Sequence, residues 1–144
     1  MGFKKELDEL NSKGLEATAS RVKIDYRVHL TFPFHLALDE SREQGKSGLG
    51  TTKKGIGPTY SFKVDRRNIR IGDLFIDEKL TRERLSVAVN YANALVREMG
   101  GKESTLAENE GFFDSILSLK DFISYEEAPF YHVAKEKKCL LEGA

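Results

Sequence analysis

The chain has 144 residues, with 23 lysines and arginines set against 23 aspartates and glutamates. Balanced charge excludes a chain-wide field that would draw it to nucleic acid or a membrane surface, so any basic site has to be local. One cysteine, Cys139, excludes an intrachain disulfide, and no apolar run approaches the ~20 residues of a membrane span, so a reducing, cytoplasmic setting is expected.

The opening residues MGFKKEL lack a signal peptide's apolar stretch, and Glu6 breaks the myristoylation pattern. Phe3, Leu7 and Leu10 recur at helical spacing and Gly14 stands where such a helix would stop, which predicts a helix over about 3–13. Val22, Ile24, Tyr26, Val28, Leu30 and Phe32 then alternate with polar neighbours, a strand pattern. Asp39–Gln44 is helical in character, and Pro33 fits a helix's first turn. These signals give a strand at about 21–26 and a helix at about 33–44, with 27–32 open between the two. Gly45–Pro58 holds too many glycines for either element and reads as a long loop, a feature that is usually functional or disordered. The run RRNIRIGDLF is basic, with a short apolar strand or turn in it. Leu85, Ala88, Ala92, Leu95, Val96 and Met99 then mark one face of a helix starting near Thr81, which Gly100-Gly101 ends. Leu106 opens a further helical region. Phe112, Phe113, Ile116, Leu117, Phe122 and Ile123 crowd together so many apolar side chains that they must be buried or meet a partner. Tyr125–Lys137 is charged and reads as another helix. The ending CLLEGA reads as a short buried strand at 138–142 with Cys139 in the core, of the kind that ends in a ligand-binding turn in α/β proteins. The expected class is α/β, helix-rich.

The stretch GLGTTKKGIGPTY, Gly48–Tyr60, raises the question of phosphate binding. A Walker loop needs a glycine five residues before Gly45, where Glu40 stands. The dinucleotide pattern G-x-G-x-x-G fails at Lys53 and at Tyr60. Even so, glycines allow amides to converge on an anion. Thr51 and Thr52 add hydroxyl donors, and Lys53, Lys54, Lys63, Arg66, Arg67 and Arg70 add charge. On composition, an anion site and a solvated basic loop are equally good readings. The threonines could simply stabilise the turn, and Arg67 and Arg70 could pair with Asp65 and Asp73. His29, His35 and His132 have no cysteine or carboxylate at metal-ligand spacing, so they are expected to be structural, as is Glu142.

GTTKKGIGPTY, followed by RRNIRIGDL at Arg66–Leu74, closely resembles the signature region of the adenylosuccinate synthetases. Upstream RVHLTFPFHLALDESREQ and downstream CLLEGA are similar to the flanking parts of that family. The resemblance covers the whole chain, less closely over 101–135, and corresponds to about the middle third of a family member. It implies that residues 1–144 form a single partial domain, the mainly helical middle of the fold, with strands at 21–26 and 138–142 belonging to a larger sheet. It implies the GTP-dependent ligation of IMP and L-aspartate to adenylosuccinate, in a homodimer that uses Mg²⁺. By the same resemblance residues 45–60 are the IMP-phosphate loop. Thr52 matches a threonine that binds this phosphate, and Arg66 matches an arginine that reaches the partner subunit's IMP. Gly50, Thr51, Gly55 and Gly57 support the loop. Asn68 stands where the family often has glycine, and asparagine tolerates positive φ. No catalytic or metal-binding residue is expected here, because the family's GDEGKGK loop, its catalytic histidine context and its aspartate loop do not occur in this sequence; ligands for GTP and Mg²⁺ would lie largely outside it, and the chain alone is expected to be inactive. The alternatives are a stand-alone nucleotide-monophosphate-binding module or a helical association module built on an exposed Phe112, Phe113 and Ile116.

Overall fold

The computed structural model describes residues 2–44, 50, 52–126, 135 and 138–140. Its contacts divide the chain into two units, Tyr26–Asp121 and the pair of segments Met1–Asp25 and Phe122–Ala144.

In the larger unit, helix α2 (Pro33–Glu43) begins with proline, whose missing N–H is one of the helix-end orphans in any case. Before it, residues 26–30 run extended beside 69–72. The Gly72 amide donates to Tyr26 O, Ile71 to Val28 O, and Leu30 to Ile69 O, with a single antiparallel bridge at His29 and Arg70. This pairing decides the open segment 27–32, whose alternation is that of a chain lying against a neighbour rather than of a helix. Helix α3 (Ile56–Val64) starts two residues before the expected end of the loop, because Pro58 in a first turn costs no hydrogen bond. A short helix α4 (Asp73–Ile76) follows Gly72, where an added Cβ would sit 2.8 Å from Tyr26 O.

Helix α5 (Glu78–Glu98) buries Thr81, Leu85, Ala88, Val89, Ala92 and Val96, while Leu95 is half-buried and Met99 exposed. Asp77 caps it, its carboxylate accepting from Leu80 N–H at 2.9 Å. Asp77→Ala should lower stability by about 1 kcal/mol, read as a drop in the urea midpoint without a change of slope. Gly100, at φ 69°, ends the helix as expected. Helix α6 (Leu106–Leu117) carries a capping box in which Thr105 and Glu108 satisfy each other's amides. Asn109, fully buried, accepts from Phe34 N–H at 3.1 Å and donates to Ser104 Oγ and Thr105 O, both at 2.7 Å, tying α6 to the start of α2.

Phe32, Phe34, Leu38, Phe62, Leu85, Val96 and Phe113 are the centre of this core, each at most 3% exposed. Phe113 and Ile116 are buried and Phe112 half-buried, with its ring 5.0 Å from that of Phe32. This corrects the expectation of an exposed association surface there: the cluster meets its partner within the chain.

In the smaller unit, helix α1 (Gly2–Ser12) buries only Leu7. Strand β1 (Ile24–Asp25) pairs in parallel with β2 (Ile123–Ser124), Ile24 opposite Ile123. The expected strand at 21–26 is therefore shorter. Lys138–Leu140 carry no regular structure, Cys139 is exposed and Leu140 is 95% exposed, so the expected buried strand is not formed over these residues. Apolar composition supplies a surface to cover but no covering layer, which is why that reading fails. Residues 141–142 of that strand, and most of the helix expected over Tyr125–Lys137, lie outside the described residues. The protein is thus helix-rich α/β, with a small parallel sheet. Among the described residues, no helix is long and apolar enough to cross a membrane.

Candidate functional site

The loop is anchored where it enters α3. Gly55 is the N-cap and adopts φ 74°, the left-handed region open to glycine. A Cβ there would lie 3.0 Å from Thr31 Cγ2 and 3.2 Å from both the carbonyl carbon and Cβ of His35. The Gly55 N–H donates to Asp39 Oδ2 at 2.9 Å. Its carbonyl accepts from the amide and the hydroxyl of Thr59, at 3.0 and 2.8 Å, and Thr59 Oγ1 also meets Thr31 Oγ1 at 3.0 Å. Both polar groups of one residue are therefore satisfied by α2 and α3. Outward from this point Thr52, Lys53 and Lys54 are exposed, with Lys53 at φ 54°. Gly50, at φ 70°, donates its N–H to Glu43 Oε2 at 3.0 Å. Gly57 lies within the first turn of α3, where a Cβ would meet nothing within 4 Å. Thr51, expected to support the loop, lies outside the described residues.

Arg66 sits at the other end of α3, just past the Asp65 cap, at φ 59°. The left-handed turn needed between α3 and the next segment falls on Arg66 rather than Asn68. Asn68 instead is buried, donating to Thr59 O at 3.3 Å and accepting from Ile69 N–H at 2.8 Å. This corrects the expectation that its tolerance of positive φ is what the position uses. Arg66 is exposed, and its side chain makes no hydrogen bond or ion pair with the described residues. It borders an open cavity of ≈ 370 Å³, together with Arg67, Glu83 and Arg84 and the apolar Leu80, Val87 and Ala88. Arg67 is held by Asp65 at 3.6 Å and over the Tyr91 ring at 4.3 Å. Asp73 pairs with Arg84 at 3.3 Å, while Arg70 reaches it only through its backbone amide, at 3.1 Å. The expected Arg67–Asp65 pairing is present and the Arg70–Asp73 side-chain pairing is not; Arg84 takes that carboxylate.

Thr52 precedes the start of α3 and Arg66 follows its end. A nine-residue α3 lies between them, about 13.5 Å of helix at ~1.5 Å per residue.

His35 lies under the loop's anchor, fully buried against Phe34, ring centroids 3.9 Å apart, and edge-on to Phe62 at 5.0 Å. The Phe32 N–H donates to its Nδ1 at 2.9 Å, so the ring proton is on Nε2, which is buried and has no hydrogen-bond partner among the described residues. Burial pushes its pKa down to about 3. His29 is also lowered, chiefly by burial and then by the Arg70 and Lys63 charges, with Asp73 opposing. His35 is thus part of the core, while His29 is half-buried at its bridge with Arg70.

A family model for adenylosuccinate synthetase matches residues 1–144. The chain belongs to the adenylosuccinate synthetase family. It is 37% identical to the synthetase of Caldanaerobacter subterraneus subsp. tengcongensis over 145 residues, 97% of this chain and 34% of that protein. It is 35% identical to that of Alkaliphilus metalliredigens over 150 residues, 99% of this chain and 34% of that protein. With the synthetase of Neisseria meningitidis serogroup A it shares 44% identity over 106 residues, 72% of this chain and 24% of that protein. The chain thus spans about a third of the length of the curated relatives it matches. Asp39 was the polar residue that sequence reasoning missed. Its signal was there: position 39 follows His35 at helical spacing and so falls on α2's buried side, where a carboxylate needs a partner.

Proposed function

We propose that this chain supplies the IMP-phosphate grip of an adenylosuccinate synthetase, the GTP-dependent ligase that joins IMP and L-aspartate. The observation that carries the reading is an exposed threonine on a firmly anchored glycine loop, in a member of this family. In the proposed reaction the γ-phosphoryl group of GTP moves to the 6-oxygen of IMP. The amine of aspartate then displaces that phosphate, leaving adenylosuccinate, GDP and inorganic phosphate. Thr52 donates its hydroxyl to the 5′-phosphate of IMP, far from the reacting 6-oxygen, so its part is positioning. Gly50, Thr51, Gly55 and Gly57 let the loop approach.

Arg66 takes a second role. Placed at the other end of α3 from Thr52, it reaches the IMP phosphate of a partner subunit, where its planar fork makes two parallel hydrogen bonds. The exposed Leu80 and Val87 beside it fit a homodimer contact. Among the described residues no three His, Cys, Asp or Glu side chains converge to hold a metal ion.

Calorimetric titration with IMP tests the grip. Thr52→Ala should weaken binding about tenfold, the loss expected for one charge-assisted hydrogen bond, and Arg66→Ala, which removes two, by more than that. Unchanged affinity in both variants would overturn the assignment.

A further inference from the structure

We infer that Asp39 is a positioning residue for the phosphate loop: its buried carboxylate holds the Gly55 peptide to α2 and so sets how Thr52, Lys53 and Lys54 approach a phosphomonoester. The inference rests on the reading that this loop grips the phosphate of IMP. Asp39 is 4% exposed and lies on the same side of α2 as Phe34, His35, Leu38 and Ser41, which are also buried. A carboxylate in such a place is costly unless hydrogen-bonded. Asp39 spends an oxygen on an amide sixteen residues further along the chain, at the last residue before α3. The same residue is blocked on its Cα side by Thr31 and His35 and held at its carbonyl by Thr59.

Gly55 is thus the fixed point from which an exposed segment projects. A hydroxyl on Thr52 must come within about 2.7 Å of a phosphate oxygen to bond it. Rotation about an unlatched Gly55, which has no side chain to restrict it, would carry Thr52 out of that range. An apolar residue at position 39 would leave the Gly55 amide buried and unpaired as well.

The test compares IMP with inosine, which lacks the phosphate, on the 144-residue chain and three variants. Asp39→Asn keeps an oxygen acceptor; Asp39→Ala removes it; Asp39→Ser, too short to reach the amide, repeats the removal with a smaller loss of polarity. For Ala and Ser the ratio of IMP to inosine affinity should fall about tenfold, and for Asn by no more than about threefold. A purely structural role would weaken both ligands alike or neither, and would overturn the inference. Exchange of the Gly55 amide, followed by NMR without ligand, separates this from the functional reading. Unaltered protection in Asp39→Ala and Asp39→Ser would overturn the latch itself. Faster exchange with an unchanged affinity ratio would also overturn the positioning role, while leaving the IMP site standing. Faster exchange in a chain whose wild type binds no IMP would support the latch and remove the IMP reading.

Discussion

Lowering the pH from 7 to 4 is expected to cost the folded chain about 3 kcal/mol through His35 alone. In the folded state the ring is enclosed by Phe32, Phe34 and Phe62 and its pKa lies at about 3, against 6.5 for an exposed histidine. Above pH 6.5 the ring is neutral in both states and its contribution is complete. Between 6.5 and 3 the unfolded chain takes up a proton that the folded chain refuses, so stability falls by up to about 1.4 kcal/mol per pH unit. Below 3 both states are charged and the loss stops growing. Protonating Nδ1 would also cost the Phe32 N–H its acceptor. The measurement is a pair of urea titrations at each pH, on wild type and His35→Asn. Carboxylate titrations are common to both, so the difference between the two curves isolates the ring. Wild type should lose its margin over the variant as pH falls from 6.5. The NMR signals of the His35 ring should stay in their neutral positions down to pH 4. A ring that titrates above pH 5 would defeat the prediction and the burial on which it stands.

What the sequence allowed to be read, and what it did not, follows from the range of the interactions involved. The run from Leu85 to Val96 announced α5 because each of its buried residues is three or four positions from another, and the Gly100 stop lies next to it. Helix α3 was not read at all, and the loop was carried on to Pro58, because Gly57 and Pro58 are breakers in most settings, yet harmless in a first helical turn. The segment at 27–32 could not be decided locally, since its hydrogen bonds go to residues 69–72. At the candidate site, Thr52 and Arg66 came from a motif, and the motif says nothing of the helix that lies between them. Asp39 is the sharpest case. Its partner is sixteen residues away and across a turn, so neither a period of 3.6 nor a period of 2 joins them. Arg66 shows the converse: a residue at positive φ that composition would have assigned to Asn68. There the turn's geometry is set by α3 and the buried side chain of Asn68, and the arginine accepts the strained backbone.

The second large effect is expected at Gly55. Gly55→Ala should destabilise the chain by about 3 kcal/mol, and Gly100→Ala by only about 1 kcal/mol, although both glycines have positive φ. At Gly100 (φ 69°) a Cβ would meet nothing within 4 Å, so the substitution costs little beyond the left-handed backbone. At Gly55 (φ 74°) the same backbone cost is joined by contacts of 3.0 Å with Thr31 Cγ2 and 3.2 Å with His35. The His35 atoms have nowhere to retreat, because one is backbone and the other belongs to a side chain clamped among phenylalanines. The collision therefore pushes the alanine outward, away from α2. That movement stretches the 2.9 Å bond to Asp39 and disturbs the carbonyl held by Thr59, so stability and IMP affinity should fall together. In Gly100→Ala, at the far end of α5, affinity should stay within about twofold of wild type, because well-separated sites act additively. Thermal melts and IMP titrations on the two variants check this. Equal losses of stability at the two glycines would mean that backbone conformation alone sets the cost and that the crowding at Gly55 is relieved for nothing. In that event the loop is not tethered where its glycine meets His35.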